Sequence, residues 1–113
     1  MAFEYLMAYS MLQRDLKKVK WCMDNYYEGF GYPTIPIHYE EALLLYKEVY
    51  NEGSDFFTKY PISIATIDRY DRYMQAIKAA QGNERRYEQF KKQFGSTYWF
   101  FYMNIIDPST LKK

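Results

Sequence analysis

Apolar side chains recur along most of this chain at intervals of three and four residues, the spacing of helices that bury one face. Phe3, Leu6, Met7 and then Ser10 or Met11 share one face of a short first helix. Asp15 is placed to open a second, in which Leu16, Val19, Met23, Tyr26, Tyr27 and Phe30 form a stripe. Arg14, Lys17, Lys18 and Lys20 fall mainly on its wet side, and Gly29 and Gly31 end it. The join near Gln13 is weakly marked, so one continuous helix from Phe3 to Glu28 is the alternative.

Pro33 and Pro36 make the stretch from Tyr32 to Ile37 an extended linker. Pro36 also suits the first turn of a third helix, and Glu40 and Glu41 favour the positive end of its dipole. Its expected buried stripe is Tyr39, Ala42, Leu43, Tyr46, Val49 and Tyr50, with Gly53 as terminator. Ser54 to Ser63 reads as a loop pinned by Phe56, Phe57 and Tyr60. A fourth helix is expected from about Ile64 to Gln81, with Ile64, Ile67, Tyr70, Met74 and Ile77 inward. Asp68 and Arg72 stand four apart on it, a pair worth about 0.2–0.5 kcal/mol. Gly82 and Asn83 break the pattern, and a fifth helix from about Glu84 to Phe94 carries Tyr87, Phe90 and Phe94, with Gly95 at its end. Ser96 or Thr97 can cap a last segment, Tyr98 to Ile106, which is aromatic on every side. Periodicity alone leaves that segment as helix or strand. Helix is the better reading, because no other segment offers a strand partner and a lone strand leaves its backbone unpaired.

The pattern predicts an all-α chain of five or six short amphipathic helices in antiparallel hairpins. A tetratricopeptide-like stack is the first arrangement, a compact helical bundle the alternative. The strict repeat signature and a clear 34-residue self-similarity are both absent. With 113 residues, the chain is expected to be a single helical domain over residues 1–113, large enough to bury a core without metals or disulfides.

Composition adds one unusual feature. Aromatic residues make up 21% of the chain, with 14 Tyr, 8 Phe and 2 Trp. Tyrosine brings a large apolar area with a polar tip, so it serves both helix interfaces and half-exposed binding surfaces. The residues singled out as a candidate interaction surface are Tyr39, Tyr46, Arg69, Tyr70, Tyr73, Tyr98 and Trp99. Net charge is +1, which gives no global drive toward nucleic acid or anionic lipid. Charge is nonetheless segregated: the stretch from Trp21 to Thr58 sums to −6, and that from Lys59 to Lys92 to +4. Opposite faces of this kind can pair inside the fold or between copies, or be an ordinary solvated surface. Arg69-Tyr70 and Arg85-Arg86-Tyr87 interleave bases with rings, but Asp68, Asp71, Glu84 and Glu88 dilute the field that nucleic acid would need.

Catalytic patterns are few. Cys22 is the one cysteine and sits on an apolar face, which suits an inert buried thiol. His38 is the one histidine, three residues before Glu41, too few ligands for a metal site. No nucleophile elbow or phosphate-cradling loop occurs. Paired carboxylates occur, such as Asp68 with Asp71 or Glu41 with Glu48, but small helical domains rarely form the cleft that glycosidase chemistry needs. No apolar run approaches the ~20 residues of a membrane span, and no signal-peptide pattern opens the chain. We therefore expect no enzymatic activity, no cofactor and no metal. A protein partner or self-association is expected, with no nucleic acid and no direct membrane insertion. An aromatic-lined peptide or glycan site is a further alternative.

Three stretches carry a family resemblance: Ala2 to Tyr9 followed by Asp15-Leu16, Pro36 to Tyr46, and Phe94 to Tyr102. In these the chain resembles the C-terminal region of an uncharacterised family of larger gut-bacterial membrane proteins of unknown function, whose soluble tail looks tetratricopeptide-like. The resemblance implies a soluble tail, tethered to a membrane and extracytoplasmic if it is part of a longer chain. It carries over no catalytic residue.

Overall fold

The structure is a computed structural model, described here for residues 3–27 and 35–103. Among these residues all regular structure is helical: α1 (Phe3–Leu12), α2 (Leu16–Tyr26), α3 (Ile37–Val49), α4 (Phe56–Lys59), α5 (Ile64–Ala80), α6 (Glu84–Phe94) and α7 (Tyr98–Met103). The chain is all-α, as the periodicity predicts. The helices divide into two compact units, Met1–Ser63 and Ile64–Lys113.

In the first unit α2 packs against both α1 and α3. Phe3, Met7, Leu16, Val19, Cys22 and Met23 are buried along α1 and α2. The two helices are separate, and the corner between them shows why. Arg14 takes a left-handed backbone (φ 57°). Its amide donates to the Met11 carbonyl at 3.1 Å, and the Asp15 amide donates to the Ser10 carbonyl at 3.0 Å. This pairing consumes the orphan carbonyls at the end of α1. The Asp15 side chain then accepts from the Lys18 amide at 3.0 Å and caps α2. One residue thus closes one helix and opens the next. The expected terminators Gly29 and Gly31, with Phe30 and Pro33, lie outside the described residues.

Helix α3 buries a wider arc than a single stripe. Glu40, Glu41, Ala42, Leu43, Leu44 and Leu45 are all buried, whereas Val49 and Tyr50, expected inside, are exposed. The cause is the segment that follows. Phe56, on the single turn of α4, lies 6.1 Å from the Tyr46 ring, and Tyr60 lies 5.1 Å from Phe56. The Ser63 amide and hydroxyl both donate to the Glu40 carboxylate, at 2.8 and 3.0 Å. The region read as a loop therefore contains a helical turn and covers a second side of α3. Asn51, not Gly53, is the left-handed residue that ends α3 (φ 54°), with the Glu52 amide donating to the Lys47 carbonyl at 2.9 Å. Asparagine tolerates that conformation better than most residues. Asp24 is clasped by Lys20 at 2.7 Å and by Lys59 at 3.0 Å, tying the helical turn to α2.

In the second unit α5 packs against α6. Gly82 is left-handed (φ 72°) and Asn83 caps α6 by accepting from the Arg86 amide at 3.1 Å. This repeats the device at Arg14 and Asp15. Thr97 caps α7: its hydroxyl accepts from the Phe100 amide at 3.2 Å and donates to the Phe94 carbonyl at 2.7 Å. Tyr98 to Met103 is helix, as read, and the expected extension to Ile106 lies outside the described residues. The buried line of α5 is displaced from the expected one. Thr66, Tyr73 and Ala80 are buried, spaced by seven, while Ile64 is exposed and Ile67, Tyr70, Met74 and Ile77 are half-buried. The seam centres on Tyr73, whose ring lies 5.2 Å from Phe90, 5.5 Å from Phe94 and 5.7 Å from Trp99. A large ring at the centre of an aromatic cluster dominates the helix phase over a terminal isoleucine.

Candidate functional site

The seven residues singled out from sequence are mostly packing residues. Tyr39 is half-buried, with Phe3 edge-on at 5.8 Å. Burial raises its hydroxyl above the ordinary tyrosine value, and the Glu4 carboxylate adds to the effect. Tyr46 is half-buried between Tyr50 at 4.7 Å and Phe56 at 6.1 Å. Trp99 and Tyr73 are fully enclosed and Tyr98 nearly so. Tyr70 meets Trp99 edge-on at 5.1 Å, and the Arg69 guanidinium lies over the same indole at 5.7 Å. Arg69, Tyr70, Tyr73 and Trp99 thus form one cluster, with the tryptophan at its centre. Burial pushes the Tyr73 hydroxyl far up, and Tyr70 adds to the shift. Its hydroxyl donates to the Met103 sulfur at 3.3 Å.

The exposed rings sit elsewhere. On α1, Tyr5, Tyr9 and Leu12 are 59%, 57% and 62% exposed. Their spacing of four and three puts them on one face of the helix, opposite the buried Phe3, Met7 and Ser10. Helix α1 is apolar nearly all round, and a helix of that kind normally has cover on every side. Beside this face runs a groove of about 870 Å³, lined by Tyr5, Leu6 and Tyr9 of α1, the Arg14-Asp15 corner and Lys18 of α2. Its floor is set by Ser10, whose hydroxyl donates to the Leu6 carbonyl at 2.8 Å. Two cations against one acid make its rim basic, and the Asp15 carboxylate already accepts the Lys18 amide. The Lys18 ammonium lies 4.3 Å from the ring of Trp21, itself 44% exposed. Such a surface offers flat apolar anchors, hydroxyl donors and cations together, the chemistry of a macromolecular contact. Sequence reasoning missed it because it followed the face of Phe3, Leu6 and Met7 and gave Tyr5 and Tyr9 no role. The signal was the run from Phe3 to Leu12, which has apolar residues on both faces.

The groups weighed for chemistry are accounted for structurally. Cys22 is fully buried; burial raises its thiol above the ordinary value, more than hydrogen bonding with Ser10 lowers it. His38 Nδ1 lies 2.8 Å from the buried Glu41 carboxylate, so the expected pair forms at the start of α3. Among the described residues no group of three or more His, Cys, Asp and Glu could hold a metal ion.

Comparison with known families decides the lineage. Residues 1–105 match the model of a family of unknown function, DUF6057. The chain belongs to the DUF6057 family. The DUF6057 match covers the whole of the first unit and the second as far as residue 105. No curated protein and no solved structure matches it. Among the described residues of this DUF6057 chain, no helix is long and apolar enough to cross a membrane.

Proposed function

We propose that this DUF6057 chain is a non-enzymatic protein-interaction or scaffolding module that receives its partner on the exposed face of α1. The observation that carries the reading is the Tyr5, Tyr9 and Leu12 stripe beside the basic groove of Arg14 and Lys18. Tyrosine rings anchor a contact at small entropic cost, since each has few rotatable bonds. The capped corner at Asp15 fixes the helix pair, so the face is rigid before a partner arrives. Paired short helices of this kind suit a tetratricopeptide-like presentation, and the resemblance in Phe94 to Tyr102 suits a soluble tail of a larger membrane protein.

The test is a photo-crosslinking amino acid placed at Tyr9 in the producing cell, with the same group at the exposed Glu88 of α6 as control. A discrete protein adduct from position 9, absent at position 88 and abolished by Tyr5→Ser with Leu12→Ser, is the expected outcome. No discrete adduct, or one indifferent to those two substitutions, overturns the reading.

A further inference from the structure

The basic groove has a charge partner on its own unit. At the end of α3, Glu48, Val49, Tyr50, Glu52 and Asp55 are all exposed, with Val49 at 51% and Tyr50 at 42%. This edge is acidic and apolar where the groove is basic and aromatic. Two cations border it, Lys47 at 3.7 Å from Glu48 and Lys17 beside the Tyr50 ring, against the three exposed carboxylates of Glu48, Glu52 and Asp55, so the edge stays acidic. The two patches lie at the same end of the unit. The Lys17 ammonium is 5.3 Å from the Tyr50 ring and the Lys20 ammonium 5.7 Å from the Tyr46 ring. The start of α2 therefore runs beside the end of α3, and Arg14 precedes Lys17 by three residues.

Two complementary patches can associate in two ways. On opposite sides of a molecule they generate open chains or rings; side by side they are self-complementary under a twofold rotation. The basic half then meets the acidic half of the second copy, and the reverse contact forms at the same time. We infer that the occupant of the groove is a second copy of this chain, in a closed pair that sets Tyr5, Tyr9 and Lys18 of one copy against Glu48, Val49 and Glu52 of the other. This rests on the reading of the α1 face as a docking surface and names its partner. The acidic excess of the stretch from Trp21 to Thr58 then has a use between copies, and the apolar area on both halves supplies attraction that salt does not screen.

Light scattering of the full chain across the micromolar range, in low and in high salt, tests the inference. The expected mass rises with concentration from one chain to two, and high salt weakens the pair several-fold. Lys18→Glu and Glu52→Lys each weaken it about tenfold, and the two together restore it, because the reversed charges meet again across the twofold. Both positions are exposed, and far-UV circular dichroism confirms that each variant stays folded. A chain that stays monomeric throughout overturns the inference. So does a dimer that the single charge reversals leave unchanged or that the double variant fails to restore. A monomer that still gives the Tyr9 photo-adduct with a different protein removes the second copy and leaves the docking surface standing. A monomer with no adduct removes both.

Discussion

Trp99 offers the most direct measure of what holds the second unit together. It is fully enclosed, with Tyr70 at 5.1 Å, Tyr73 at 5.7 Å and the Arg69 guanidinium over its face. A tryptophan side chain buries on the order of 250 Å², which at about 25 cal/mol per Å² gives an upper bound near 6 kcal/mol. Measured truncations of buried aromatic rings cost about 3–5 kcal/mol, because part of the site collapses into the space. We therefore expect Trp99→Ala to lower stability by about 3–5 kcal/mol in urea unfolding followed by circular dichroism. The other tryptophan, Trp21, lies in the first unit and is 44% exposed, so each indole can be read alone. Trp21→Phe leaves Trp99 as the sole reporter, with blue-shifted emission that resists acrylamide. Trp99→Phe leaves Trp21, with red-shifted emission that acrylamide quenches readily. Equal quenching of the two, or a cost below about 1 kcal/mol for Trp99→Ala, would refute the enclosed cluster as the core of that unit.

Arg14→Gly should stabilise the chain. A left-handed residue with a side chain costs about 1–2 kcal/mol, and glycine returns about 0.5–1 kcal/mol of that through its freer unfolded chain. The net gain of about 0.5–1 kcal/mol is to be read as a urea midpoint at a protein concentration low enough to leave single chains; a loss would show that φ 57° carries no strain. Asp24 gives a pH prediction. Burial pushes its carboxyl up, but the Lys20 and Lys59 ammonium groups together outweigh that and hold it below the ordinary value. The folded form thus binds the proton more weakly than the unfolded form, so the stabilisation is present above the unfolded value of about 3.9 and is lost as pH falls through the lowered folded one. Asp24→Asn should be less stable than the parent at neutral pH, and the two curves should converge under acid; parallel curves would count against the clasp.

Local rules were legible in the sequence wherever a residue acts on its own backbone. Asp15 was read as the opening of a helix and Asn83, with Gly82, as a break, and both accept the amide three residues on. Gly82 marked its break and carries the positive φ. What was not legible is the phase of a helix that has more than one neighbour. On α3 two glutamates are buried and Val49 is not, since Ser63, 23 residues away, supplies the hydrogen bonds that make a buried Glu40 tolerable. No pattern within the helix encodes that partner. Asn51 was passed over for Gly53 because glycine is the stronger left-handed signal, although asparagine is the next best.

The tyrosines show why the candidate site was harder to read than the fold. Their side chain is apolar in the ring and polar at the tip, so the same residue satisfies a core and a surface. Tyr73 has no exposed area and Tyr5 more than half, yet both stand on helices beside apolar neighbours. Only the rest of the helix separates them. Opposite Tyr73, α5 presents Asp68 and Asp71 to solvent, and these fix which face is wet. Helix α1 carries Glu4 as its one charged residue, so no polar face forces the rings inward or outward, and Phe3 with Met7 takes the core by size and position. The rings left over, Tyr5 and Tyr9, are then exposed by exclusion rather than by polarity. An exposed face that arises in this way keeps its hydrophobic driving force for association. The absence of charge that made α1 the least informative helix in the sequence is what leaves its outer face open as the docking surface we propose.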